Sequence, residues 1–150
     1  MRIWSTSVIL ALVLATSNAT ASAERAPRLQ GVWNVSVAVR NCDTGQVIRQ
    51  FHALNLYIHD GSMTETAANF LRTPSVGTWR RVHDDTYTSM FEFFRYNPDG
   101  SFATLARVTR TIELNEDGGR FTSTGRVEDF NADSVRVAIG CSTETAVRAQ

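Results

Sequence analysis

The chain is 150 residues long and 43% hydrophobic, and its 15 basic and 15 acidic residues give a formal net charge of +0. This length suits one domain, and a balanced charge without blocks of one sign excludes the basic footprint of a nucleic-acid-binding protein. The two cysteines and three histidines lack the spacing of metal ligands, so neither a metal nor a cofactor is expected.

The first 23 residues have the pattern of a secretory signal peptide. An apolar stretch runs from Val8 to Ala15, and small and polar residues follow it up to Ala23. This stretch is too short to cross a bilayer as a helix, so no membrane span is expected. We expect cleavage after Ala23 and a single mature domain over residues 24–150. All fifteen basic residues are arginine, as in GC-rich bacterial genomes, which favours a secreted or periplasmic bacterial protein.

Short stretches rich in Val, Thr, Phe, Tyr and Ile follow, separated by turn-forming clusters such as HDGS, NPDGS and NEDGG. The predicted strands span residues 30–40, 47–58, 62–67, 77–83, 86–96, 101–114, 120–130 and 134–147. Eight antiparallel strands are enough for a sheet to close on itself. The sequence therefore predicts an all-β, eight-stranded antiparallel up-and-down barrel. The alternative is a β-sandwich, which normally needs longer crossing connections.

The two cysteines test this closure. Cys42 follows the first predicted strand and Cys141 lies in the last, and in an oxidising compartment such a pair indicates one disulfide. If the cysteines lie directly opposite each other, Val37 lies beside Ala146, and the first and last strands are neighbours. A bridge from the loop at 41–46 onto the barrel wall fits the spacing equally well.

The first strand begins with a short motif, Gly31-Val32-Trp33. It resembles the glycine-any-tryptophan signature of lipocalins and the wider calycin superfamily. The resemblance implies a barrel closed at its base by Trp33, with Arg148 from the last strand packed across the ring. The chain also resembles small secreted bacterial β-barrel proteins of uncharacterised role that carry a GxW, an FFRYNPDG hairpin and a terminal GCSTET strand. It departs from lipocalins because no C-terminal helix is predicted.

Alternation along the strands predicts which side chains face the barrel interior. In the second strand we expect Leu54, Leu56 and Ile58 to point inward. The fifth strand has apolar residues on both faces, and Phe91 and Phe93 share one of them. The residues expected to contact a ligand are Leu54, Leu56, Tyr57, Trp79, Phe91 and Phe93. Such an interior is predicted to bind a small hydrophobic molecule, with one or two polar groups fixing its orientation.

Four charged residues interrupt apolar strands: Glu65, Glu92, Arg95 and Arg110. A buried carboxylate near a tyrosine or arginine supports acid–base chemistry, so Glu92 and Glu65 are the candidate catalytic residues of an alternative function, a cofactor-free isomerase or cyclase. Alternating arginine and glutamate residues more often form outward cross-strand pairs, which makes catalysis the weaker hypothesis. A third alternative is a structural or interaction module with a filled core. No oligomeric state is predicted.

One longer connection, residues 67–76, interrupts the series of hairpins and carries two apolar residues, Phe70 and Leu71. Apolar residues in an exposed loop need a surface to cover. We expect Phe70 and Leu71 to plug the core from its edge, and the alternative is a lid over the barrel mouth.

Overall fold

The computed structural model describes residues 28–150, which form eight β-strands. The strands are β1 (Gly31–Arg40), β2 (Val47–Tyr57), β3 (Ser62–Ala67), β4 (Ser75–His83), β5 (Thr86–Tyr96), β6 (Phe102–Leu114), β7 (Arg120–Phe130) and β8 (Arg136–Arg148). Every predicted strand is present, with ends that differ from the prediction by at most two residues. The predicted signal peptide, residues 1–23, lies outside the described residues. Within residues 28–150 no helix has the length and apolar character needed to cross a membrane.

The eight strands form one closed barrel, in which each strand pairs antiparallel with the next along the chain. β8 completes the ring by pairing with β1, from Arg148 opposite Trp33 to Cys141 opposite Arg40. A closed barrel leaves no strand edge unpaired, whereas a sandwich has edges on both sheets. The predicted up-and-down barrel is therefore confirmed, and the β-sandwich alternative is excluded.

Asparagine side chains build some of the tight turns between the strands. Oδ1 of Asn41 accepts hydrogen bonds from the backbone N–H groups of Asp43 and Thr44, both at 2.9 Å. Between β7 and β8, Oδ1 of Asn131 accepts a hydrogen bond from the N–H of Val135 at 2.9 Å. These bonds are local in sequence, which explains why the turn clusters predict the strand ends well.

The disulfide joins Cys42 and Cys141, as predicted, with Cα atoms 5.2 Å apart. Cys42 belongs to the loop after β1, so it has no partner position in the β1–β8 ladder. The register predicted from directly opposed cysteines is therefore wrong by two residues, because Ala146 lies opposite Val35 and not Val37. The alternative is what the structure contains: a bridge from the loop onto the barrel wall.

One end of the barrel interior is closed by large buried side chains, and we call this end the base and the opposite end the mouth. The base consists of Leu29, Trp33, Tyr57, Trp79, Tyr87, Ile112 and Phe121. The rings of Trp33 and Phe121 meet edge to face, with centroids 4.9 Å apart. Nε1 of Trp33 donates a hydrogen bond to the carbonyl oxygen of Leu29 at 2.8 Å, so the buried indole N–H has a partner.

Arg148 packs on the outer side of the base. Its guanidinium carbon lies 4.3 Å from the centroid of the Trp33 ring, the contact that the family resemblance implies. Nη1 of Arg148 also donates to the carbonyl of Gln30 at 2.7 Å. Gly31 has a φ of +124°, and a Cβ there would lie 2.8 Å from Nη1 of Arg148. The glycine of the motif thus meets both a backbone requirement and a space requirement.

Candidate functional site

Next to the base, toward the mouth, the barrel interior is polar. We call this region the polar layer, and its buried side chains are Asn55, Glu65, Ser75, Ser89, Arg110, Ser123, Ser142 and Glu144. Burial of charged and polar groups costs free energy unless hydrogen bonds and opposite charges compensate for lost water. The layer is therefore the part of the interior where the structure departs most from an ordinary apolar core.

An ion pair between Arg110 and Glu144 lies at the centre of the polar layer. Nη2 of Arg110 is 2.8 Å from Oε1 of Glu144, and both side chains are almost completely buried. Ser123 donates a hydrogen bond to Oε2 of Glu144 at 2.8 Å. Arg110 in turn donates to the hydroxyl oxygens of Ser123 at 3.1 Å and Ser142 at 3.0 Å. Three neighbouring strands, β6, β7 and β8, thus supply one connected network.

Gly125 in β7 leaves space for this network. A Cβ at this position would lie 2.9 Å from both Cγ and Nη1 of Arg110, the residue directly opposite it on β6. A glycine inside a strand weakens the strand, so its presence often marks a close approach. Here the approaching group is the arginine side chain.

Burial changes the acid–base behaviour of two groups in this region. Desolvation raises the pKa of Glu144 above its ordinary value of 4.5, although the charge of Arg110 opposes the shift. Burial also raises the pKa of Tyr57 well above its ordinary value, and the negative charge of Glu144 adds to this effect. The tyrosine hydroxyl is therefore neutral at every physiological pH.

A second buried ion pair closes the mouth side of the interior. Arg72, from the connection between β3 and β4, places Nη1 2.9 Å from Oε1 of Glu65, with side chains only 4% and 3% exposed. The Arg72 guanidinium lies over the Phe93 ring, 3.4 Å from its centroid. The plug of the mouth is therefore Arg72, while Phe70 is 92% exposed and Leu71 half-buried. The prediction that Phe70 and Leu71 plug the core is wrong. Arg72 enters the interior instead, because its guanidinium group pairs there with the buried carboxylate of Glu65.

A cavity of about 40 Å³ lies between Arg72 and the polar layer. Its apolar lining consists of Val37, Val39, Phe51, Phe91, Phe93, Val108 and Val127. Its polar lining consists of Arg49, Glu65, Asn69, Arg72, Arg95, Arg110 and Ser142. A site for one water needs about 10–15 Å³ by this measure, and pockets for drug-sized ligands measure about 300–1,000 Å³. In this conformation the cavity accommodates a few waters or a small ion.

The structure separates the six predicted ligand contacts into three groups. Phe91 and Phe93 line the cavity, whereas Tyr57 and Trp79 belong to the base. Leu54 is 52% exposed and lies on the outer surface of the barrel. Leu56 is half-buried on the same outer face, and Ile58 is also exposed.

The inward face predicted for the second strand is therefore wrong. Ala53, Asn55 and Tyr57 point inward on β2 instead of Leu54, Leu56 and Ile58. Both alternate sets of side chains on this strand contain apolar residues. The prediction chose the set with the leucines because that set is the more hydrophobic of the two. Asn55 of the other set is completely buried, and neither its Oδ1 nor its Nδ2 has a hydrogen-bond partner among residues 28–150.

The four charged candidates also divide between the two faces. Glu92 lies on the outer face, where its Oε1 accepts a hydrogen bond from Nε of Arg107 on β6 at 2.7 Å. This arrangement is the outward cross-strand pair that the pattern favours. Glu65 and Arg110 lie inside, and Arg95 lines the cavity with its Nε 2.8 Å from Oδ1 of Asp129.

Sequence reasoning missed Arg72 and Glu144, whereas it singled out Glu65 and Arg110 of the polar layer, and Gly125 carried a further signal for this layer. A glycine in the middle of the seventh predicted strand indicates that something approaches the backbone closely. Nothing local identifies Glu144 as buried, because its partner Arg110 comes from another strand. Within residues 28–150, no group of three or more His, Cys, Asp or Glu side chains is placed to hold a metal ion.

Comparison with protein-family models gave no match, and comparison with curated proteins gave none either. The geometry of the barrel interior is therefore the basis on which a function can be inferred.

Proposed function

We propose that this chain is a secreted or periplasmic bacterial lipocalin-like protein that binds a small, mostly apolar molecule in the mouth half of its barrel. The cavity beside Arg72 carries this proposal, because seven valine and phenylalanine side chains line it together with seven polar or charged side chains. Small-molecule sites combine apolar side chains with polar groups that fix the orientation of the ligand.

Binding of a molecule larger than a few atoms requires a rearrangement at the mouth. The connection that carries Arg72 is held to β5, since the N–H of Tyr96 donates to the carbonyl of Leu71 at 2.9 Å and the N–H of Thr73 donates to the carbonyl of Phe94 at 3.0 Å. Rotation of the Arg72 side chain out of the barrel is a smaller change than movement of this backbone. Such a rotation removes the guanidinium group that covers the Phe93 ring.

The disulfide supports the compartment in this proposal. Disulfides persist in oxidising compartments and are rare in the cytosol. The Cys42–Cys141 bridge joins the β1–β2 loop to β8 near the mouth, so it also limits how far this end of the barrel can open.

Fluorescence titration with the neutral apolar probe N-phenyl-1-naphthylamine tests the proposal. We expect saturable binding by the unmodified protein. We also expect Val127→Phe, which fills the cavity, to weaken binding by about tenfold or more, because hydrophobic pockets discriminate by about 1–3 kcal/mol per small group. Val76→Phe is the matched control, because Val76 is 73% exposed on the outer face.

Equal binding by the two variants would place the probe outside the barrel and contradict the proposal. If the probe binds inside the barrel, mass spectrometry of small molecules released from protein purified from its native host identifies the natural ligand.

The second candidate function is a structural or interaction module with a filled core. The size of the cavity, about 40 Å³, favours it, because the interior has little empty space in this conformation. This candidate predicts no saturable probe binding by the unmodified protein and no small molecule in the native preparation.

A further inference from the structure

The cavity carries more hydrogen-bond donors than its acceptors satisfy. Arg72 and Arg110 both line it, with side chains only 4% and 3% exposed. Nη2 of Arg72 and Nε of Arg110 are buried and have no hydrogen-bond partner among residues 28–150. An unpaired buried donor costs about 1–3 kcal/mol, and more when the group is charged. Two such donors on one cavity indicate that an acceptor belongs there.

The charges around the cavity indicate the sign of that acceptor. Four arginines line it: Arg49, Arg72, Arg95 and Arg110. Three of them have carboxylate partners, in Glu65, Asp129 and Glu144. Arg49 forms no ion pair with any residue from 28 to 150. One positive charge is therefore left over, and one negative charge would balance it.

Two of these arginines also lie close together over one ring. The guanidinium carbons of Arg72 and Arg95 are 3.4 Å and 5.0 Å from the centroid of Phe93. Like charges repel, and more strongly where water is excluded. An anion between or beside them reduces this repulsion.

We propose that the cavity is a binding site for a small oxyanion, in particular a carboxylate group, to which Arg72 and Arg110 donate hydrogen bonds while Arg49 contributes charge at the rim. The volume of about 40 Å³ is large enough for such a group. The carboxylate is either that of a free small acid or one end of a larger molecule, and in the second case this inference rests on the proposed function.

Thermal unfolding and titration calorimetry with acetate, at constant ionic strength with chloride as the replacement anion, test the site. We expect acetate to raise Tm saturably. Arg72→Gln is expected to weaken acetate binding by about tenfold or more, as for loss of a charged hydrogen bond. Arg49→Gln is expected to weaken it by about two- to fivefold, as for loss of an exposed charge.

Arg107→Gln is the matched control, because it removes the same charge from the outer face of the barrel. Because Arg72→Gln leaves Glu65 unpaired and risks unfolding, the comparison of Arg49→Gln with Arg107→Gln is sufficient to decide. Equal acetate affinity in these two variants overturns the inference. So does the absence of any acetate effect beyond that of chloride, which means that the cavity holds water only.

Benzoate distinguishes between the two sources of the carboxylate, a free small acid and one end of a larger molecule. If benzoate binds more tightly than acetate and Arg49→Gln weakens both by the same factor, the oxyanion site is one end of a larger ligand site. Acetate binding without benzoate binding identifies a free small acid. Both results support the oxyanion site. Saturable binding of the neutral naphthylamine probe without acetate binding retains the proposed function and overturns this inference, so the two failures are distinguishable.

Discussion

The base and the polar layer are neighbours inside the same barrel, yet they are stabilised in different ways. At the base, Trp33 packs against Phe121 and forms its one side-chain hydrogen bond to a backbone carbonyl. In the polar layer, Arg110 and Glu144 interact with each other and with serine hydroxyls from adjacent strands. The base gains stability from apolar area removed from water, whereas the polar layer must first overcome the desolvation of its charges.

This difference indicates which region of the interior serves stability and which one to examine for function. The aromatic base closes one end of the barrel, and two of its buried polar atoms, the hydroxyls of Tyr57 and Tyr87, have no hydrogen-bond partner among residues 28–150. The polar layer and the cavity beside it retain unpaired charged donors on Arg72 and Arg110, and an exposed arginine, Arg49, lines the cavity without a carboxylate partner among residues 28–150. Groups that contribute little to stability or lower it are the ones to examine for function.

The largest expected effect is at the base. Trp33→Ala is expected to lower the free energy of unfolding by about 3–5 kcal/mol, because it removes a fully buried ring and leaves a cavity. Urea unfolding followed by circular dichroism measures the change. Phe70→Ala is the control and is expected to change stability by no more than about 0.5 kcal/mol, since Phe70 is 92% exposed. Similar losses in the two variants would contradict the assignment of Trp33 to the core.

The next effect tests whether the polar layer differs in kind from the base. Arg110→Met alone is expected to cost about 3–5 kcal/mol, because it leaves Glu144 buried without its partner. The double variant Arg110→Met/Glu144→Leu is expected to recover most of that loss, since apolar replacement of a whole buried ion pair is often neutral or stabilising. A double-mutant cycle by urea unfolding measures the coupling. Additive losses would show that the pair does not act as a unit.

A smaller effect concerns pH. The folded protein holds the proton of Glu144 more tightly than the unfolded chain, because desolvation raises its pKa above 4.5. As pH rises above that value the unfolded chain loses this proton first, so the stability of the unmodified protein falls relative to Glu144→Gln, by at most about 1.4 kcal/mol per pH unit. The free energies of unfolding of the unmodified protein and of Glu144→Gln, compared between pH 4.5 and the pKa of folded Glu144, measure this effect.

Glu128→Gln provides a control of opposite sign. A hydrogen bond from Arg136 lowers the pKa of Glu128, whose stabilising contribution is present above its unfolded pKa and is lost as pH falls. The unmodified protein should therefore gain stability over this variant as pH rises. If both differences change in the same direction, the raised pKa of Glu144 is wrong.

The smallest effect is on the outer surface. Glu92→Gln breaks the pair with Arg107, whose side chains are 33% and 45% exposed. We expect a loss of no more than about 1 kcal/mol that disappears at high salt, because solvent screens exposed ion pairs. Thermal unfolding at two ionic strengths measures it. A loss as large as that of Arg110→Met would remove the contrast between outer and inner ion pairs.

Much of the fold could be predicted from sequence because its signals are local. Turn clusters such as NPDGS mark the strand ends within two residues, and the number of strands predicts closure. The inward face of β2 could not be predicted, because Leu54 and Tyr57 belong to alternate faces that are both apolar enough for a core. For the candidate site, Phe91 and Phe93 were predicted to contact a ligand and line the cavity, whereas Arg72 was missed.

The sequence by itself determined the strands and the turns between them, because side chain–backbone bonds in turns and alternation along strands are local properties. It also determined the pairing of Cys42 with Cys141, because the chain has two cysteines and so only one possible disulfide within it. Only the tertiary structure decided that Arg72, Glu65, Arg110 and Glu144 lie inside the barrel. A charged side chain can be buried only where an opposite charge meets it from another strand or loop, and that meeting depends on barrel closure.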